Sequence, residues 1–197
     1  MTSWPVEFQE AGFSQKRLLI IDTFNFFHRA YHALPTSLTS PDGASVNAVY
    51  GVASMLLNLF DLIKPTFVVA ALESEEKTQR KIQYSDYKAQ RKPLEEALKS
   101  QIPSLLEILN AFGVCSLSSP GYEGDDVIGS LVSQYQGKME IVIASNDRDL
   151  WQLITDGVLV LSPKNNGKLA DWVGTKEVLA QYGFPPHRIV DYKAITG

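Results

Sequence analysis

The 197-residue chain is long enough for one well-buried domain and short for two. With 45% hydrophobic and 20% charged residues it has an ordinary globular balance, which excludes wholesale disorder, collagen and coiled coil. The formal net charge of −4, from 18 basic and 22 acidic residues, counts against a nucleic-acid partner, because phosphate binders are usually basic.

Residues 1–16 are mixed and unpatterned and read as a flexible leader; residues 17–197 read as one domain with no internal boundary. Arg17 to Ile21 is a short apolar strand that ends at Asp22. Phe24 to Ala33 has helical character, and Pro41-Asp42-Gly43 is turn chemistry. Val46, Val49, Tyr50, Ala53, Leu56, Leu57, Phe60 and Ile63 form one face of a long helix, stopped by Pro65. Phe67 to Leu72 is a second buried strand, ended by Glu73, and Ser74 to Lys92 is polar. The stripe Leu98, Ile102, Leu105, Leu109, Phe112 is helical, and Pro103 within it marks a kink or the first turn of a second helix. Val114 to Leu117 is a third strand, and Val127 to Tyr135 lies on an amphipathic helix. Ile141 to Ala144 and Val158 to Leu161 are further strands, with a short helix around Leu150 to Ile154 between them. Thr175 to Tyr182 and Pro186 to Ile195 read as helices. Continuous apolar strands alternating with helices predict an α/β fold on a mostly parallel sheet.

Cys115 is the single cysteine, so no intramolecular disulfide forms, and its apolar neighbours predict a buried structural thiol. Met1 to Lys16 has no signal-peptide pattern, and no apolar run reaches the length of a membrane span. A soluble, cytoplasmic protein without a membrane partner is expected.

Ligands of an open parallel sheet bind beyond the carboxyl ends of its strands. Asp22 follows the first strand, Glu73 the second, and Asp147 and Asp149 the fourth, while Glu123, Asp125 and Asp126 open the helix after the third. Any one of these acids is explained as a helix cap. Seven from four loops, at one edge, repel one another unless cations neutralise them, and hard ions such as Mg²⁺ or Mn²⁺ take such oxygen ligands. His28, His32 and His187 have no zinc spacing, and the dinucleotide, P-loop and nucleophile-elbow fingerprints are missing.

Lys77 to Lys92 carries six bases, Lys77, Arg80, Lys81, Lys88, Arg91 and Lys92, against Asp86, with Tyr84 and Tyr87 interleaved. Cations with stacking aromatics describe a groove for single-stranded nucleic acid, although a solvated helical face is the commoner meaning of a charge run. Its place directly after Glu73 favours phosphate handling: Arg80, Lys88 or Arg91 neutralises non-bridging oxygens, and Arg29 is a further contact. With the seven acids set aside, 15 acids face 18 bases, so the net charge averages two opposed features. Few apolar anchors in the basic segment predict that it is mostly without structure when no nucleic acid is bound.

Several motifs now converge. They are Ile20-Ile21-Asp22, Arg29-Ala30-Tyr31-His32-Ala33, Tyr50-Gly51-Val52, Lys64-Pro65-Thr66 and Tyr87-Lys88-Ala89-Gln90-Arg91. Further on stand Glu123-Gly124-Asp125-Asp126-Val127-Ile128-Gly129, Ser145-Asn146-Asp147-Arg148-Asp149-Leu150 and Tyr182-Gly183-Phe184-Pro185-Pro186. In this order and spacing the chain, from about Leu18 to Gly197, resembles the 5′-3′ exonuclease domain of bacterial DNA polymerase I, in the flap-endonuclease family. The resemblance implies a PIN-like three-layer fold, with helices flanking a mostly parallel central sheet and a helical arch after the second strand. It implies Asp22, Glu73, Glu123, Asp125, Asp126, Asp147 and Asp149 as ligands of Mg²⁺ or Mn²⁺, two ions in the complete site. It implies Arg29, Arg80, Lys88 and Arg91 as DNA contacts; the reading of the basic segment adds Lys81, Tyr84 and Tyr87 to them, and Asp22, Lys88 and Arg91 are the expected catalytic residues. The implied reaction is phosphodiester hydrolysis at a 5′ flap or 5′ end of DNA; RNA primers are a candidate further partner that the sequence leaves open, and the expected location is the bacterial cytoplasm near the nucleoid.

Glu73 stands where the family has aspartate, Gln79 where an aromatic residue is usual, and Gly124 where alanine is common. The sequence stops at Gly197, where the family continues into an aspartate-rich loop and a helix-hairpin-helix region. Further sequence, a partner or a polymerase then supplies the remaining ligands and the duplex grip, or activity is lost. A binding module with weak or no catalysis, and a metal phosphohydrolase acting on small esters, are the alternative functions.

Overall fold

The computed structural model describes residues 16–90, 93–163 and 170–196. The leader assigned to residues 1–16 lies outside them apart from Lys16. In chain order the elements are β1 (Arg17–Asp22), α1 (Thr23–Ala33), α2 (Asn47–Ile63), β2 (Phe67–Ala71), α3 (Gln79–Gln83), α4 (Glu96–Lys99), α5 (Ile102–Ala111) and β3 (Cys115–Leu117). They continue with α6 (Gly124–Tyr135), β4 (Glu140–Ala144), a 3-10 helix Arg148–Leu153, β5 (Val158–Pro163), β6 (Ala170–Val173), α7 (Thr175–Tyr182), a 3-10 helix Pro186–Arg188 and α8 (Ile189–Thr196). Two compact units share them: Met1–Ile21, Ile63–Val68 and Ile128–Gly197 form the first, Asp22–Leu62 and Val69–Val127 the second.

In the first unit β1, β4 and β5 pair in parallel, with Ile20 opposite Ile143 and Ile143 opposite Val160. Leu18 to Ile21, Ile141 to Ala144 and Val158 to Leu161 are all at most 3% exposed. Burial of every residue, rather than every second one, is what a parallel strand covered on both faces requires. The entry to the sheet is fixed by Arg17, whose guanidinium donates to Glu140 at 2.7 Å and to the Ile63 carbonyl at 3.1 Å. β6 runs antiparallel to β5, with Val160 opposite Val173. The sequence reading left β6 out, because four residues of mixed polarity give no apolar run. Beyond it, Gly183 closes α7 in the left-handed region (φ 77°), where glycine carries no steric cost, and its N–H donates to the Leu179 carbonyl. The turn brings the rings of Trp151, Tyr182, Phe184 and Tyr192 into one cluster, with centroids 5.4 to 6.1 Å apart.

In the second unit α1 and α2 pack without room for a methyl group. A Cβ on Gly51 would lie 2.6 Å from the Ala30 Cβ. The start of α2 is tied down by buried amides. Asn47 Nδ2 donates to the carbonyls of Tyr31 (2.9 Å) and Leu34 (3.1 Å), and Gln101 Oε1 accepts the Ala48 N–H at 3.0 Å. Gln101 Nε2 donates to Asn47 Oδ1 at 3.0 Å, which joins the two amides. Pro103 sits in the first turn of α5, where a missing N–H costs nothing, so the helical stripe is two helices rather than one kinked helix. β2 pairs in parallel with β3, Val69 opposite Cys115 and Ala71 opposite Leu117.

All three residues of β3 are exposed, and Cys115 with them. The expectation of a buried thiol is therefore corrected: β3 is a three-residue edge strand, and an apolar sequence does not bury a strand that has a neighbour on one side only. Among the described residues the strand pairings within the units are parallel apart from β5 with β6, so the α/β class and the mostly parallel pairing stand as expected. No helix among the described residues is long and apolar enough to cross a membrane.

Candidate metal and nucleic-acid site

The basic segment is built into the second unit. Ser74 Oγ accepts the N–H groups of Gly121 and Glu76, both at 3.0 Å, and the Gln79 N–H donates to the Gly121 carbonyl at 2.8 Å. Thr78 caps α3 through its hydroxyl, which accepts the Lys81 N–H. The expectation of a mostly structureless segment is corrected for residues 74–90, because these caps and the ion pairs below replace the missing apolar anchors. None of the side chains of α3 is buried.

Glu123 is the hub. Its side chain is 7% exposed. Lys88 Nζ donates to Oε1 at 2.9 Å, while Arg80 (2.7 Å) and the Tyr87 hydroxyl (3.1 Å) donate to Oε2. Arg80 also grips Asp126 with its two terminal guanidinium nitrogens, at 2.5 and 2.9 Å. Asp126 Oδ2 in turn accepts the Glu123 N–H at 3.0 Å, capping the start of α6. The hydrogen bond to Asp126 raises the Arg80 pKa against the opposing pull of burial, and the charges of Asp126 and Glu123 add to the rise. An isolated carboxylate as buried as Glu123 would cost several kcal/mol, so its cations are required rather than incidental. Lys88 reaches Glu123 from a backbone φ of 55°, a left-handed conformation that costs a non-glycine residue about 1–2 kcal/mol. Its ammonium also lies 5.1 Å from the centre of the Tyr87 ring.

The other expected site residues fall as follows. Asp22 caps α1, its Oδ1 accepting the Asn25 N–H at 3.3 Å. Asp125 stands in the first turn of α6. Glu73 Oε1 is 3.7 Å from where a Cβ on Gly124 would sit. The longer acid and the smaller neighbour, two of the departures from the family, therefore lie side by side. In the first unit Asp147 caps the 3-10 helix, accepting the Asp149 N–H at 2.8 Å. Asp149 is held by Lys193 Nζ at 2.8 Å, and that hydrogen bond raises the lysine pKa. Lys81 and Tyr84 are exposed, Tyr84 at 71%. Arg29 is half-buried, and burial lowers its pKa. Arg91 lies outside the described residues.

Among the described residues no three acid, histidine or cysteine side chains are grouped closely enough to hold a metal ion. The donor chemistry of Glu123 and Asp126 nevertheless suits a hard divalent cation. Both are carboxylates, and the two positive charges that Arg80 and Lys88 bring to Glu123 equal the charge of one such ion.

A family described as the 5′-3′ exonuclease, N-terminal resolvase-like domain matches residues 17–183. The chain belongs to this 5′-3′ exonuclease family. A 5′-3′ exonuclease of Aquifex aeolicus is 41% identical over 184 residues, covering 92% of this chain and 62% of the relative. DNA polymerase I of Caldicellulosiruptor bescii is 38% identical over 184 residues, covering 92% of this chain and 22% of the polymerase. The chain thus spans less than two thirds of the length of these relatives. Among solved structures, the T5 D15 protein co-crystallised with metal ions superposes with a TM-score of 0.69 at 17% identity, covering 92% of this chain and 67% of that one. The bacteriophage T5 D15 flap endonuclease in a complex with DNA and metal ions superposes with a TM-score of 0.67 at 19% identity, covering 92% and 66%. These likenesses establish a shared fold, the PIN-like architecture expected of the exonuclease domain.

Two residues that serve the site, Lys193 and Ser74, carry little signal in the sequence. Lys193 lies 44 positions beyond its partner Asp149, a separation with no local signal. Ser74 was legible only as a polar residue, although a serine directly after a strand-ending acid is a common backbone acceptor.

Proposed function

We propose that the chain carries a divalent-metal-dependent 5′ nuclease activity, hydrolysing phosphodiester bonds at 5′ ends or 5′ flaps of DNA. The observation that carries this reading is the meeting of the basic segment with the acidic start of α6, in the ion pairs of Arg80 and Lys88 with Glu123 and of Arg80 with Asp126. One loop that handles anions thereby faces one that handles cations. Glu73, Glu123 and Asp126, with Asp22, Asp125, Asp147 and Asp149 as the family resemblance implies, would hold Mg²⁺ or Mn²⁺. Bound there, the cation supplies an acidified water and positive charge for the phosphodiester. Arg80 and Lys88 pair with non-bridging phosphate oxygens, joined by Lys81, Arg91 and Arg29. Tyr84 offers an exposed face on which a base stacks. Tyr87 holds Glu123 in place through its hydroxyl. RNA primers and a polymerase or polymerase domain complete the proposed partners, in the bacterial cytoplasm.

The test is incubation of the protein with a labelled 5′-flap DNA and Mg²⁺ or Mn²⁺. Asp125→Asn is expected to abolish cleavage, and Lys88→Ala to slow it about 10²-fold, as loss of one charge-stabilising donor does. Binding without cleavage would refute the enzyme and leave a nucleic-acid-binding module. Cleavage of small phosphate esters alone would refute the DNA substrate.

A further inference from the structure

We propose that Ser74 is a positioning residue: with Gly121 it staples the root of the basic segment to the loop before α6, so that Arg80 stands at the acids before DNA arrives. This rests on the nuclease reading above and adds to it a residue that sets the affinity for DNA.

Both backbone polar groups of Gly121 form the staple. Its N–H donates to Ser74 Oγ at 3.0 Å, and its carbonyl accepts the Gln79 N–H at 2.8 Å. Ser74 and Gln79 are thereby held on one residue, and the chain between them closes into a short loop. Ser74 Oγ also accepts the Glu76 N–H at 3.0 Å, which turns that loop at its start. The contact is built around a glycine. Gly121 is buried and has a φ of 77°, in the left-handed region. A Cβ there would lie 3.3 Å from Gln79 Nε2 and 3.8 Å from the Lys77 carbonyl oxygen, so the bare backbone lets the segment lie directly on the loop. Gln79, one of the departures from the family, is thus the side chain that packs on the staple. Arg80 follows Gln79 in the chain, so its backbone starts where the staple puts it. Its partners Glu123 and Asp126 follow Gly121 within the next five positions. One residue therefore fixes the guanidinium and both carboxylates relative to each other. A segment held in place beforehand does not have to be ordered by the DNA. With the staple cut, the DNA must order it, and a segment in place in about one chain in ten binds about tenfold more weakly. Once DNA is bound the segment is in place again, so turnover is kept.

The experiment is cleavage of a labelled 5′-flap DNA with Mg²⁺, with kcat and KM separated. Ser74→Ala removes the acceptor and is expected to raise KM about tenfold with kcat within about twofold. Ser74→Thr keeps the hydroxyl and is expected to match the unaltered chain. Gln79→Pro cuts the other half of the staple, because proline has no N–H, and is expected to raise KM in the same way. Proline suits the position: Gln79 is the first residue of α3, and Thr78 before it is extended (φ −67°, ψ 151°). Gln79→Ala loses the side chain but keeps the N–H, and its KM is expected to stay within about twofold. A general loss of stability would instead lower the active fraction, so that kcat falls at constant KM. That result, or an unchanged KM in Ser74→Ala and Gln79→Pro, overturns the staple and leaves the nuclease reading intact. If Ser74→Ala does not fold, Gln79→Pro against Gln79→Ala decides. If the unaltered chain binds the DNA without cleaving it, the nuclease reading fails, and the same ratios are read as dissociation constants by fluorescence anisotropy. An unaltered chain that neither cleaves nor binds the DNA overturns both.

Discussion

Gly51→Ala tests the packing of α1 on α2, because two ordinary rules predict opposite signs for it. Alanine is the better helix former by about 1 kcal/mol, and Gly51 lies inside the 17-residue α2, so propensity alone predicts stabilisation. The contact predicts the reverse. The added Cβ would lie 2.6 Å from the Ala30 Cβ, 3.1 Å from Leu34 Cδ1 and 3.3 Å from the Ala30 Cα. Carbon atoms prefer about 3.5–4.0 Å, so the gap between two helix backbones must open by roughly 1 Å. The Leu34 methyl can rotate aside, but the Ala30 backbone cannot. Overpacking of this kind costs about 1–3 kcal/mol, and the absence of a flexible partner puts it near the top of that range. With the propensity gain subtracted, a loss of about 1–2 kcal/mol remains, or roughly 2–8 °C in Tm for a chain of this size. Thermal unfolding followed by circular dichroism reads it. Ala30→Gly in the same chain removes the methyl that is struck, so the two changes together are expected to cost at least about 1 kcal/mol less than their sum. A rise in Tm for Gly51→Ala, or strict additivity with Ala30→Gly, would refute the close approach.

Gln101→Ala is expected to cost about 1–3 kcal/mol in urea denaturation, because it strands the Ala48 N–H in a site where Gln101 is 2% exposed, while Asn47 Oδ1 keeps the Ser45 hydroxyl as a donor; a loss below 1 kcal/mol would show that the start of α2 finds other partners. Tyr31 makes a pH prediction. Its hydroxyl donates to Glu95 at 2.9 Å, and that bond first, then burial and the carboxylate charge, raise the phenol pKa. A raised folded value means that the contribution is whole below the usual tyrosine pKa of about 10 and is lost as pH rises through the folded value. The Tm of the unaltered chain is therefore expected to fall more steeply above about pH 10 than that of Tyr31→Phe, and parallel profiles would remove Tyr31 from the linkage.

The strands of the first unit were legible because each is an unbroken apolar run, Leu18 to Ile21, Ile141 to Ala144 and Val158 to Leu161, and sheets covered on both faces are written that way. The long α2 was legible from its spacing. β6 was not, since Asp171 breaks a run of only four residues, although Asn166-Gly167 ahead of it is a hairpin signal. The burial of Cys115 was misread for a different reason: hydrophobicity reports what a residue tolerates, while exposure of β3 depends on what covers it. For the site, residue types and loops could be named, but their partners could not. The sequence pairs Tyr84 and Tyr87 as interleaved rings but does not show that the Tyr87 hydroxyl serves Glu123 while Tyr84 stays in solvent.

The caps show why the acids had to be read twice. Asp22, Asp126 and Asp147 all accept backbone N–H groups at helix starts, which is the ordinary meaning of an acid in that position. A cap, however, uses one oxygen and leaves the charge. Where that charge is half in solvent, as at Asp147, water satisfies it. At Glu123 burial removes the water, and chain from 35 and 43 positions away, Lys88 and Arg80, supplies the missing cations. The net charge of −4 hides this, because the acids at the start of α6 and the bases that neutralise them are separate in sequence and paired in space. A carboxylate that folding buries only with borrowed cations answers to that local balance rather than to the whole-chain charge.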